Sequence, residues 1–198
     1  MIGLILFFIH FICYWTMVFL YDKDVSEKDY SISMKSSLHN QLFYTLPSTI
    51  IFCNYYPIQY NNVITSMIYL PFLIVTSDCY FYISHRPLHS KWLYHFHKHH
   101  HTGSVHVTKS LDAGCLEHLF GNLGSFIIGI LLLWYFGYII NIYIVGSWVG
   151  IATINTCISH SNHMCSFDTG NHYLHHKYRN CNYGFGLYFM DRLLGTYK

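Results

Sequence analysis

The sequence predicts an all-α protein, a transmembrane bundle of about four or five spans under a cytosolic helical cap that carries clustered histidines. Three observations predict it. Hydrophobic residues make up 53% of the 198 positions and charged residues only 10%, whereas a soluble domain is about a quarter charged. Three long stretches, Met1–Tyr21, Ser36–Ser77 and His118–Phe167, contain no Asp, Glu, Lys or Arg. All 11 basic residues fall in just three segments, 21–35, 85–117 and 168–198.

The elements follow from these stretches in order. Ile2–Leu20 is apolar, no basic residue precedes it and no small-x-small cleavage site follows. A retained transmembrane helix is therefore expected rather than a signal peptide. The second and third stretches are each long enough for a hairpin of two spans, turning at Pro57–Asn62 and Gly137–Asn141. Helices are expected near 2–20, 38–56, 63–84, 119–138 and 141–159. Residues 1–35 form a first helix and cytosolic loop, and 36–198 the main membrane domain. The positive-inside rule assigns the three basic segments, and every histidine cluster with them, to the cytosolic side.

Composition excludes several function classes. The net charge of +2 and the absence of a basic stripe argue against nucleic acid as a partner. The seven cysteines are odd in number and scattered, with no CxxC, so they read as reduced thiols rather than a disulfide framework. No P-loop, GxGxxG or ordered Ser-His-Asp set is present.

Histidine is the unusual residue: 16 in all, 14 of them after residue 84. His85 and His89 form an HxxxH pair. His97, His100 and His101 form an HxxHH box, and His172, His175 and His176 repeat it. Positions i, i+3 and i+4 share a helix face, so each box is expected to aim its imidazoles in one direction, as a metal requires. Eight imidazoles exceed the needs of one ion. His160 and His163, at the cytosolic end of the last predicted helix, bring the set to ten, or two metals with four or five ligands each. Imidazole suits Fe, Zn and Cu alike. Asp78, two helical turns before His85, is expected to accept the N–H of a ligating histidine. His10 and His39 read as isolated structural histidines. His95, His99 and His106 read as solvated or neighbouring groups. The alternative from another class is a histidine-rich metal transporter, whose ligands belong near the bilayer midplane. Here the boxes sit beside Arg86, Lys91, Lys98, Lys177 and Arg179.

The order HRxxH, HKxHH and distal HxxHH resembles the fatty acid hydroxylase and sterol desaturase superfamily. The residues are His85-Arg86-Pro87-Leu88-His89, His97-Lys98-His99-His100-His101 and His172 to His176. Asn182-Tyr183-Gly184, Asp191-Arg192 and Gly195-Thr196 resemble the family ending, and the likeness covers about residues 36–198. The resemblance implies a membrane di-iron oxygenase with its histidines facing the cytosol, in an endoplasmic reticulum-type membrane. Such enzymes hydroxylate or desaturate sterols, sphingolipids or fatty acids with O2. They take electrons from cytochrome b5 and its reductase. The metal ligands then map onto His85, His89, His97, His100, His101, His160, His172, His175 and His176, with His163 as a tenth. Asp78, Glu117, Asn182 and Tyr183 would orient them. Two iron ions are the implied cofactor, with zinc able to replace them in purified protein. One departure stands out. Where many members carry His-Pro-Leu-Glu, this chain reads Gly114-Cys115-Leu116-Glu117, so one contact is either supplied by His118 or His106 or not required.

Overall fold

The computed structural model describes residues 1–56, 58–60, 62–161 and 171–198. Among them the structure is all-helical, with one isolated bridge and no strand. The first helix, α1, runs Ile2–Tyr21. A second, α2 (Glu27–Asn40), passes through a π-helical segment, Gln41–Thr45, into α3 (Leu46–Tyr55). A short α4 (Val63–Ser66) precedes α5 (Tyr69–His85), a 3-10 turn (Arg86–His89) and the single-turn α6 (Tyr94–His97). After a 3-10 segment at Val107–Leu111, the π-helical Glu117–Leu123 continues as α7 (Gly124–Tyr135). The chain closes with α8 (Ile142–His160), α9 (Asn171–Tyr178) and α10 (Phe189–Leu193).

Three helical stretches are long and apolar enough to cross a bilayer: Ile2–Tyr21, Glu117–Tyr135 and Ile142–His160. They match the first, fourth and fifth expected spans. The other two expected spans take a different form. The region 38–56 is the second part of a rod that starts at Glu27. Ser26 accepts from the Asp29 N–H at 3.2 Å, and Glu27 and Asp29 lie in the first turn. A capping side chain and two acids at the positive helix end are why residues 27–35 are helix rather than the expected loop. The division expected after residue 35 falls inside α2. The region 63–84 breaks after α4, leaving α5 with 17 residues.

The expected hairpin turns meet at one end of the bundle. Ile142 N–H donates to the Gln59 carbonyl at 3.0 Å, beside the Gln59–Asn141 bridge. The helices carrying the histidines end at the opposite side. Helix α1 packs on α3 and α8, and α5 on α7, around a core that includes Leu6, Leu73, Ile130, Leu133, Val145 and Trp148. Glycine sets the α5–α7 approach. A Cβ at Gly129 would lie 2.8 Å from Leu73 Cδ2 and 3.3 Å from Leu73 Cα.

Gly129→Leu should therefore push α5 from α7 and lower stability by about 1–3 kcal/mol, the usual cost of overpacking. Thermal unfolding of purified protein in detergent measures it. An unchanged midpoint would mean that the two helices separate freely.

Candidate metal centre

Nine of the ten sequence-predicted histidines converge in two groups at the helix ends. His85, His89, His97, His101 and His175 form the first; His100, His160, His172 and His176 form the second. Within each group the candidate ligand nitrogens all lie within 4.8 Å of one another. His163 lies outside the described residues. His85 ends α5, His89 closes the adjoining 3-10 turn, and His97 ends α6 with His100 and His101 in the turn beyond it. His160 is the last residue of α8, and α9 carries the distal box.

The boxes do not each aim at one point, as the sequence reading expected. Each divides. His97 and His101 join the first group while His100 joins the second; His172 and His176 join the second while His175 joins the first. The reason is angular. On α9, at about 100° per residue, i+4 leads i by about 40° and i+3 trails it by about 60°, and the turn at His97–His101 divides in the same sense. Residues i+3 and i+4 therefore diverge by a full 100°, and HxxHH sends its imidazoles to two neighbouring groups.

The tautomers are set by hydrogen bonds on the far side of each ring. Nδ1 of His85 donates to the Tyr183 carbonyl at 2.7 Å, that of His175 to Cys181 at 2.8 Å, that of His160 to Thr156 at 2.9 Å and that of His100 to Asp112 at 3.2 Å. A carbonyl can only accept, so these four rings carry their proton on Nδ1 and turn a lone pair inward on Nε2. His97 Nδ1 donates to Glu117 Oε1 at 2.7 Å, with the same result. Inside the groups the lone pairs face each other. Nε2 of His85 is 3.0 Å from that of His97, and Nε2 of His160 is 3.2 Å from that of His100. Two lone pairs at such a distance repel unless a cation lies between them. The spacing is what adjacent ligands adopt on an ion with metal–nitrogen bonds of about 2.1 Å. The donor set therefore fits two imidazole-bound metals.

Burial reinforces this. It holds the imidazoles of His97, His100, His172, His175 and His176 well below their ordinary range, with neighbouring imidazoles adding to the effect. Burial and then nearby charges, His85 foremost for His89, take His89 to about 3; burial and His89 take His101 to about 2. Rings kept neutral at physiological pH are rings ready to bind metal.

The match to known proteins follows the same residues. The model of the family described as fatty acid hydroxylase matches residues 70–196. The chain belongs to the fatty acid hydroxylase family. No curated protein and no solved structure matches it. Membership makes this family member an oxidoreductase of the oxygenase kind, with the membrane setting that its apolar helices indicate and histidine groups able to hold metal.

The orienting residues fall out unevenly. Glu117 and Tyr183 touch ligand rings as expected. Asp78 does not accept from a histidine. Its carboxylate accepts the backbone N–H groups of Tyr188 at 3.0 Å and Phe189 at 2.9 Å, at the start of α10. Its position two turns before His85 turns it toward the C-terminal tail, where the N–H groups at the start of α10 bond it. Asn182 likewise touches no histidine; it donates to the Asn171 carbonyl at 2.9 Å and accepts from Lys198 N–H at 2.9 Å. The Gly114 departure removes no member of either group. His118 bonds Thr45 Oγ1 at 2.9 Å, and His106 lies 3.4 Å from Asp22 Oδ2, so neither is a substitute ligand. Sequence reasoning missed Asp112, whose carbonyl orients His100 and whose carboxylate accepts from Lys109 Nζ at 2.7 Å. It also missed Asp191, which accepts from the N–H groups of Tyr183 and Gly184. A backbone acceptor leaves no mark in the residue type, and an acid paired locally reads as surface.

A pH dependence follows. The folded pKa values of His89 and His101, about 3 and about 2, lie below the 6.5 of a free imidazole. The unfolded chain therefore takes up protons first as pH falls. Their contribution to stability is complete above about pH 6.5 and is lost progressively below it. Metal-free protein in detergent should show a lower unfolding midpoint at pH 5 than at pH 7. A midpoint that does not move over this interval would contradict the neutral, buried state of these rings.

Proposed function

We propose that this chain is a membrane-bound, O2-dependent di-iron oxidoreductase that hydroxylates or desaturates a lipid C–H bond. The observation that carries the reading is the convergence of two sets of imidazoles beside a cavity that shares wall residues with an apolar chamber. A small chamber of about 30 Å³ is bordered by His85, His97, His100, His160 and His172. A second chamber of about 90 Å³, with Leu6, Phe52, Ile130 and Val145 in its wall, adjoins it through His10, Leu111, Asn122 and Phe126. An apolar chamber beside metal-binding groups suits oxidation of a membrane lipid.

In this reading the first group, with His85, His89, His97, His101 and His175, holds one iron, and His100, His160, His172 and His176 hold the other, with His163 as a further candidate. Iron bound there supplies the activation of O2 and the C–H cleavage that no side chain can perform. The chain's own residues keep the imidazoles neutral, fix their tautomers through Tyr183, Cys181, Asp112, Thr156 and Glu117, and exclude bulk water by burial. Hydroxylation places one oxygen atom of O2 in the product and releases the other as water, which consumes two electrons and two protons. No dinucleotide fingerprint occurs in the 198 residues. We assign the donor role to cytochrome b5 and its reductase, acting on a cytosolic face in an endoplasmic reticulum-type membrane. Lys91, Lys98, Lys177 and Arg179 are exposed beside the histidine groups and suit an acidic partner.

Metal analysis of purified protein should give two metals per chain, iron in the active form, with zinc able to replace it. His100→Ala and His175→Ala should each cost metal from a different group and reduce product formation more than about a hundredfold. Glu117→Gln should weaken metal binding about 10–100-fold, because it replaces the carboxylate that polarises His97 with a neutral amide. One metal or none in the wild-type protein would end the di-iron reading.

Reconstituted protein with a lipid extract should be inactive with NADH alone and gain activity when cytochrome b5 and its reductase are added. The gain should shrink as salt rises. Full turnover with NADH and no added redox protein would overturn the donor assignment.

A further inference from the structure

We infer that helix α2 is a positioning element for the second histidine group, through Asn40 and Ser33, which hold the backbone acceptor of the His100 proton. The inference rests on the metal reading proposed above and names the residues that stand behind one of its ligands. Helix α2 has a polar sequence, so an apolar core does not explain why it packs where it does. Its buried residues are Ser33, Ser37 and Asn40, and steps of four and three residues put them on one face. All three reach the same stretch of chain, residues 108–113. Ser37 Oγ donates to the Thr108 carbonyl at 2.9 Å and Ser33 Oγ to Asp112 Oδ2 at 2.9 Å. Asn40 Nδ2 donates to the carbonyls of Leu111 at 2.8 Å and Ala113 at 2.9 Å.

The residue between those two carbonyls is Asp112, whose own carbonyl accepts from His100 Nδ1 at 3.2 Å. It sits in a tight turn rather than in regular helix. Ala113 N–H donates to the Leu111 carbonyl at 3.0 Å, and Asp112 between them has φ −79° and ψ 78°, which is an inverse γ-turn. Asn40 brackets this turn, with one amide hydrogen on the carbonyl before Asp112 and the other on the carbonyl after it. The Asp112 side chain is pinned as well. Its Oδ2 accepts from Ser33 and from Lys109 Nζ at 2.7 Å, and its Oδ1 accepts from His99 Nε2 at 2.8 Å. Held on both sides and through its carboxylate, Asp112 turns its carbonyl to His100. The dependence runs from α2 to the turn, from the turn to the imidazole proton, and from that proton to the lone pair offered to the second group. Ser33 and Asn40 precede residue 70, where the family match begins, so this support comes from a part of the chain outside that match.

The full chain in detergent tests this without metal and with it. In metal-free protein with isotope-labelled histidine nitrogens, the ring shifts of His100 should report a proton on Nδ1. Asn40→Ala and Ser33→Ala should each bring in the tautomer protonated on Nε2, and Asn40→Ala should do so more strongly, because it removes the bonds on both sides of the turn. Ser37→Ala is the control. It loses a bond from the same face of α2, but one to Thr108 rather than to the turn. It should lower the thermal midpoint and leave the His100 tautomer as it was. In titrations with zinc against a chelator, Asn40→Ala should weaken the binding step that His100→Ala abolishes by about 10–100-fold, the usual effect of losing a group that orients a metal ligand. The step that His175→Ala abolishes should weaken less. A merely structural role for α2 would lower stability and both steps alike. A His100 ring that keeps its Nδ1 proton in both Asn40→Ala and Ser33→Ala overturns the inference, as does equal weakening of the two steps. The tautomer is read without metal, so it decides the inference even where the wild-type protein binds fewer than two ions, a result that would end the di-iron reading alone. Two full steps in the wild type with an unmoved tautomer in the variants would do the reverse.

Discussion

A neutral imidazole has one N–H and one lone pair, and the structure depends on where nine of them put the N–H. To point lone pairs at a shared centre, each ring must hand its proton to an acceptor behind it. The acceptors are mostly backbone carbonyls: Tyr183 for His85, Cys181 for His175, Asp112 for His100 and Thr156 for His160. Two of these carbonyls lie in the irregular tail after α9, and the tail bends sharply to present them. Arg179, Asn182 and Tyr188 have φ of 63°, 52° and 52°, a region that costs non-glycine residues energy unless the surroundings hold them there. Two buried acids do the holding. Asp191 accepts from Tyr183 N–H, Gly184 N–H and the Thr196 hydroxyl, and Asp78 accepts from Tyr188 and Phe189 N–H. The order of dependence runs from carboxylates to backbone, from backbone to imidazole proton, and from proton to lone pair.

Much of this was legible in the sequence and part was not, for physical reasons. The apolar helices, the family and the histidine set were legible because each leaves a mark in residue type and spacing. The division of each HxxHH between two groups was hidden, because spacing fixes only the angle between side chains and not what lies beyond them. Asp78 was chosen for its register with His85, yet register says nothing about competing donors, and the N–H groups of α10 come from more than a hundred residues away. Helix α2 was read as loop because its residues are polar. Its start at Ser26, with Glu27 and Asp29 in the first turn, is a local signal that the absence of an apolar face obscured. The missing histidine at Gly114 suggested a gap in the site, but the nine rings close the two groups without it.

Several polar residues inside the bundle are paired with one another. Trp15 Nε1 donates to Gln41 Oε1, Gln41 Nε2 meets His10 Nε2 at 3.3 Å, and His10 Nδ1 reaches Thr153. His118 is tied between Thr45 and Asn122. Both π-helical segments contribute to these contacts, Gln41 and Thr45 from one and His118 and Asn122 from the other. The wider turn shifts side chains off the regular helical positions. Unpaired, such groups would be costly in an apolar interior. Paired, they tie α1, α8 and the two π segments together around the chambers without adding a charge.

The two histidine groups are not equivalent. Among the described residues, only the first is backed by a carboxylate, through Glu117 on His97, and an acid behind an imidazole makes the ring a stronger base. Each group also holds a ring whose Nδ1 is buried without a partner, His101 in the first and His172 in the second. With Glu117 behind His97, the first group is the more electron-rich. Yet neither can assemble by itself, because the turn after α6 and helix α9 each feed both. Seating His97, His101 and His175 around one ion sets the position of the backbone that carries His100, His172 and His176. The stronger group therefore organises the weaker one through shared helix turns. A pair of boxes divided in this way ties the two groups together more tightly than two separate motifs would.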